Sequence, residues 1–180
     1  MRVAMKRWAM AAAALAGVVA LNACGNTPKE RGICPRVAIL ADVGKITVFS
    51  PGAAETPANV MFTGEMSNIR IACKYNDQAL TELEADVYVT MILRKGPAMR
   101  GEVAELPYFV TISDRRGTVL NKREFPLKVD FGGNAAVEHV ERSWQYFRLR
   151  RGYGGIEYET WAGFQLDDRQ LDYNRRTARQ

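Results

Sequence analysis

The sequence predicts an all-β sandwich, two sheets packed face to face, behind a short N-terminal leader. From residue 36 to residue 166 apolar side chains recur mainly at every second position, the pattern of strands with one buried face. Gly, Pro, Asp and Asn separate these runs at short intervals, as turns between strands require. The 157 residues that follow a leader of 23 are enough for one domain with a sizeable core.

Early strands are expected at Arg36 to Leu40, Lys45 to Phe49, Val60 to Thr63 and Ile69 to Tyr75, with a Ser50-Pro51-Gly52 turn and a loop containing Pro57 between them. The clearest strand spans Thr81 to Leu93, where Leu83, Ala85, Val87, Val89, Met91 and Leu93 share one face and Glu82, Glu84 and Asp86 take the other. One face buried and one solvated is the mark of an antiparallel strand. Leu106, Tyr108, Val110 and Ile112 repeat the alternation, and Asp114-Arg115-Arg116-Gly117 turns the chain into a strand over Thr118 to Phe131. Pro126 within it has no N–H to donate and favours an edge or a bulge.

Val137, Val140, Trp144 and Phe147 are spaced for a helix, while Trp144 to Leu149 reads equally as extended, so a short helical link over Asn134 to Trp144 followed by a strand is expected. A last strand carries Ile156, Tyr158, Thr160, Ala162, Phe164 and Leu166 on one face. Asp167 or Asp168 then caps a short helix through Asn174. Seven or eight such strands point to an immunoglobulin-like or fibronectin-like sandwich over residues 33–166, with a helix and tail over 167–180.

At the N-terminus, Arg2, Lys6 and Arg7 precede an uncharged run from Trp8 to Ala23. This run is short of the ~20 apolar residues that span a bilayer core of about 30 Å, and it has the layout of a cleaved export signal. Its end, Leu21-Asn22-Ala23-Cys24-Gly25, resembles the lipobox of bacterial lipoproteins. That resemblance implies cleavage before Cys24, diacylglycerol on its thiol, and a membrane anchor on the periplasmic side of the inner or the outer membrane. The Gly163-Phe164-Gln165-Leu166 and Tyr173-Asn174-Arg175 segments also look like those of small envelope lipoproteins, and this likeness implies no activity. The polar stretch CGNTPKERG, residues 24–32, reads as a flexible tether that reaches at most ~30 Å.

With Cys24 acylated, Cys34 and Cys73 are the thiols left, and the oxidising envelope favours their pairing. The bridge is expected to tie the first strand to an early neighbour. Closing a loop of 40 residues stabilises a fold by about 4 kcal/mol in the chain-entropy model. Loss of the leader removes three of the 25 Lys and Arg and none of the 20 Asp and Glu, leaving a net charge of +2. A charge so balanced gives no reason to propose nucleic acid as a partner.

The sequence holds no Gly-x-Ser-x-Gly elbow, Ser-x-x-Lys, His-Glu-x-x-His or phosphate-binding glycine loop. His139, the single histidine, is flanked by Glu138 and Val140 and reads as a dispensable surface residue. Two cysteines and one histidine are too few for a metal site without carboxylates, so no metal or cofactor is expected. Glu82 with Glu84, and Glu157 with Glu159, are spaced to share a strand face and would be the carboxylates of a hydrolase. The same spacing describes the solvated face of an amphipathic strand. Asp167-Asp168 reads as helix capping.

One constellation stands above this background. Arg142, Arg148, Arg150 and Arg151 interleave with Trp144, Tyr146 and Tyr153. Guanidinium groups bind phosphate and carboxylate in a bidentate manner, and aromatic rings supply stacking faces or interface anchors. Arg142, Trp144, Arg148, Arg150, Arg151 and Tyr153 are therefore the candidate site for an anionic envelope component or an acidic protein. The expectation is a non-enzymatic interaction or assembly module, and the alternative is an envelope hydrolase or ligand-binding lipoprotein with a carboxylate site.

Overall fold

A computed structural model describes residues 32–76 and 78–178; the expected export leader, Cys24 and the expected tether up to Arg31 lie outside the described residues. Eight strands form two four-stranded sheets. One sheet has the order β1 (Arg36–Ile39), β8 (Tyr158–Phe164), β5 (Val103–Asp114), β6 (Val119–Asp130), and the other has β2 (Lys45–Phe49), β3 (Val60–Tyr75), β4 (Glu82–Lys95), β7 (Ala136–Arg148). All pairs are antiparallel except β1 with β8. The order β3-β4-β7 against β5-β8 matches the A-B-E against C-F arrangement of immunoglobulin-like sandwiches. The place beside the penultimate strand, which the last strand fills in those domains, is taken here by β1 from the other end of the chain.

The core forms where the inner faces meet. Leu83, Val87, Val89, Met91 and Leu93 of β4 are at most 1% exposed; the last four pack with Tyr108 and Val110 of β5, Leu127 and Val129 of β6, and Phe164 of β8, while Leu83 packs with Ala85, Leu149 and Tyr158 in a second cluster. Each such side chain contributes about 1.5–3 kcal/mol on leaving water. Pro126 sits on β6, an edge strand, as its missing donor requires.

β3 is one strand of 16 residues where two short ones were expected. Gly64, Ser67 and Asn68 suggest a turn in sequence, but they serve other ends. A Cβ on Gly64 would stand 2.9 Å from Ile46 and 3.2 Å from Phe164, so the glycine permits close packing across the sheets. The register slips between Met66 and Asn68, and the bulge absorbs the extra residue.

The helical link expected over Asn134 to Trp144 is absent: β7 runs unbroken from Ala136 to Arg148, paired residue by residue with β4. The disulfide also differs from its expected placement between neighbours. Cys34 and Cys73 are bonded with α-carbons 5.8 Å apart, but Cys34 leads into β1 and Cys73 lies in β3, so the bond joins the two sheets.

The C-terminal helix α1 (Asp168–Thr177) begins in a capping box, in which the Asp167 carboxylate accepts from the Gln170 amide and the Gln170 side chain accepts from the Asp167 amide. The helix packs along β2. Tyr173 meets Phe49 edge to face, and the Asn174 amide donates to the carbonyls of Asp42 and Lys45 at 3.0 and 2.7 Å.

Candidate interaction surface

β7 is the outer strand of its sheet, and its side chains are inverted. Toward the core it turns His139, Glu141, Ser143 and Gln145, and toward solvent Val140, Arg142, Trp144 and Tyr146. Val140 and Trp144 are each about half exposed, at 48% and 51%. The Trp144 and Tyr146 rings stack with centroids 6.3 Å apart. Helical spacing in the sequence arises from this inversion, because the apolar residues of the outer face mix with Val137 and Phe147 of the inner one.

The inward polar groups satisfy one another. His139 Nε2 lies 2.5 Å from Glu141 Oε1, the buried Tyr108 hydroxyl donates to Glu141 Oε2 at 3.4 Å, and Gln145 donates to the Ser143 hydroxyl at 3.3 Å. Burial, and then the neighbouring Glu141 carboxylate, push the Tyr108 phenol well above its ordinary range, so it stays a neutral donor. His139 is thus half-buried on the inner face rather than a surface residue.

The backbone of β7 adds a second property. The Leu149 amide donates to Thr81 and the Lys95 amide donates to Ala135, both at 2.8 Å. The register between these points is regular, so odd-numbered residues of β7 bond to β4 and even-numbered ones face away. The N–H and C=O groups of Glu138, Val140, Arg142 and Tyr146 therefore line the open edge. At Trp144 the carbonyl accepts from Arg123 Nη1 of β6 at 3.1 Å.

The six sequence-selected residues fall into two groups. Arg142 and Trp144 lie in mid-strand, and Arg142 grips Asp86 of β4 in a bidentate pair at 2.9 and 2.8 Å. That hydrogen bond holds the Asp86 carboxyl below the usual range. About 20 Å further along the strand, Arg148 stands 3.6 Å from Glu82. Beyond it Arg150 lies over the Tyr153 ring, 5.7 Å from its centroid, and Arg151 is exposed. The turn between them uses Gly152 at φ +84°, where a glycine avoids strain.

Three of the four paired carboxylates are engaged in the fold. Glu82 faces Arg148, Glu84 accepts from the Asn76 amide at 2.7 Å, and Glu157 pairs with Arg115 at 3.2 Å. A cleft of about 100 Å³ between β2 and α1 is lined by Phe49, Glu55, Arg169 and Tyr173, and the Arg169–Glu55 ion pair spans it. A broader open hollow lies beside Glu82, Arg148 and Arg151. Among the described residues, no cluster of three or more His, Cys, Asp and Glu side chains is placed to hold a metal ion. No protein-family model, curated protein or solved structure matches the chain.

Arg142 and Trp144, selected from the sequence for their chemistry, border an open edge that the sequence reading did not anticipate. The available signal was the alternation Val140, Arg142, Trp144, Tyr146 against His139, Glu141, Ser143, Gln145, read with period two.

Proposed function

We propose that this chain is a membrane-anchored lipoprotein of the bacterial envelope, held through acylated Cys24, whose domain is a non-enzymatic interaction and assembly module. The observation that carries this reading is the inverted strand β7. It offers stacked aromatic rings on its outer face and, along its edge, backbone groups of Glu138, Val140, Arg142 and Tyr146 that face no other strand among the described residues, which are the two features an added strand uses. An extended segment of another envelope protein lying along β7 would gain main-chain hydrogen bonds to Glu138, Val140, Arg142 and Tyr146. It would also gain apolar contact with Val140 and Trp144.

Proline substitution tests this, because it deletes one N–H from a chosen side of the strand. Val140→Pro removes a donor that faces away from β4, so export and folding are expected to survive while crosslinked complexes in the native envelope are lost. His139→Pro removes a donor bonded to β4 and is expected to damage the fold. A well-folded Val140→Pro variant that still enters the same complexes would overturn the proposal.

A further inference from the structure

We infer that the end of the sandwich from which the tether departs is a docking surface for anionic phospholipid headgroups. The inference rests on the reading of Cys24 as the anchor, and it concerns a part of the domain separate from the β7 edge. The location of this end follows from contacts that gather four segments. The Tyr75 hydroxyl donates to the Ile33 carbonyl at 2.7 Å and accepts from the Gly155 amide at 2.8 Å. The disulfide fixes Cys34 to β3, Arg148 faces Glu82, and Arg115 pairs with Glu157 while donating to the Ile156 carbonyl. The start of the domain, the β3–β4 hairpin, the β5–β6 turn and the β7–β8 loop thus meet at one end.

Exposed apolar side chains concentrate there. Eight large ones are exposed among the described residues, and five of them, Ile33, Leu80, Val119, Leu120 and Tyr153, belong to this end. Val103 is the one at the opposite end, and Val140 and Trp144 lie on β7. A soluble domain normally scatters such residues, and a cluster marks a contact surface. Leu80 adds a second sign. Its φ of +56° is a left-handed conformation that a leucine adopts at a cost, and it holds an aliphatic side chain out in solvent.

Arg115, Arg116, Arg148, Arg150 and Arg151 belong to this end, as does Arg36 at the start of β1. Arg115, Arg116 and Arg148 make exposed ion pairs with Glu157, Asp114 and Glu82, which contribute little and exchange readily for other anions. Among the described residues no carboxylate lies within 4 Å of Arg150 or Arg151. Guanidinium groups grip phosphate oxygens in a bidentate manner, while Leu, Ile and Tyr side chains enter the boundary between headgroups and acyl chains. The partner is a lipid surface because nine residues from Cys24 to Gly32 hold this end within ~30 Å of the bilayer. Its effective concentration there is high.

The test uses the full acylated chain reconstituted in vesicles of phosphatidylethanolamine with phosphatidylglycerol, whose acyl chains carry bromine as a quencher. Fluorescence from a Tyr153→Trp variant is expected to be quenched beyond the unchanged chain, and that from an Arg100→Trp variant at the far end is not. On the Tyr153→Trp background, each of Arg148→Gln, Arg150→Gln and Arg151→Gln is expected to lower the docked-to-free ratio about five-fold. Salt near 1 M is expected to do the same by screening. Equal quenching at positions 153 and 100, no added quenching at 153, or equal quenching in phosphatidylcholine vesicles would each overturn the inference. The mass of the N-terminal peptide reports acylation separately, so a correct anchor with no docking is distinguishable from a wrong anchor.

Discussion

β4 and β7 lie side by side, bonded over thirteen residue pairs, yet they use their two faces in opposite ways. β4 turns an unbroken apolar row inward and a mostly polar face outward, with Tyr88 and Ile92 the exceptions, so burial of its own side chains stabilises its position. β7 turns His139, Glu141, Ser143 and Gln145 inward and Val140, Trp144 and Tyr146 outward. Its place is therefore set by β4, by Val137 and Phe147 packed on the core near its two ends, and by hydrogen bonds among the polar groups between them. The middle of β7, from His139 to Gln145, therefore keeps its apolar side chains Val140 and Trp144 on the solvent face, and the proposed interaction role rests on that stretch.

The contrast is sharpest in stability. Leu93→Ala, at a fully buried position of β4 opposite Val137, is expected to cost about 2–5 kcal/mol by leaving a cavity, read from denaturant midpoints. His139→Ala, on the inner face of β7, removes only the contact with Glu141. Its expected cost is about 1 kcal/mol or less, with no change in any envelope phenotype; a phenotype in a folded, exported variant would instead assign His139 a chemical role. Trp144→Ala, on the outer face, is expected to shift stability by no more than about 0.5 kcal/mol and to abolish crosslinked complexes. A large loss of stability there would mean that the aromatic stack belongs to the fold.

The smallest effect concerns Asp86, whose pairing with Arg142 ties the two strands at the surface. Its pKa is lowered in the folded state, so the pair's stabilisation is fully present above the ordinary aspartate value of about 3.9. It is lost as pH falls through the lowered value. Arg142→Gln is expected to lower stability slightly at neutral pH and leave the fully acid region unchanged, which flattens the acid limb of the stability curve. A steeper acid limb in the variant would contradict the pairing.

Most of the sandwich was legible because most strands obey the rule β4 obeys. Alternation placed β2, β4, β5, β6 and β8 within a few residues, and Asp167 announced the helix. Two places broke the rule for physical reasons. In β3, Gly64 and Ser67 answer to close packing and a bulge, and sequence alone does not distinguish those from a turn. In β7 the apolar residues face solvent, so the assumption that apolar means inward mixes two faces into a false helical period. The disulfide pair followed from cysteine arithmetic, but its span between the sheets required knowing that β1 joins β8 rather than β2 or β3. The candidate site residues lie along one extended strand and the loop after it, so Arg142 and Arg150 stand farther apart than a helix would have kept them.

Amide hydrogen exchange along β7, compared between the purified chain and the chain in native envelope membranes, tests the interaction role of this strand most directly. In the purified chain the amides of Glu138, Val140, Arg142 and Tyr146 should exchange quickly, while those of His139, Glu141 and Ser143, bonded to β4, exchange slowly. In the envelope the first set should become protected as a partner strand binds the open edge. If those four amides exchange as fast in the envelope as in isolation, β7 is an unpartnered edge and the interaction role assigned to it is wrong.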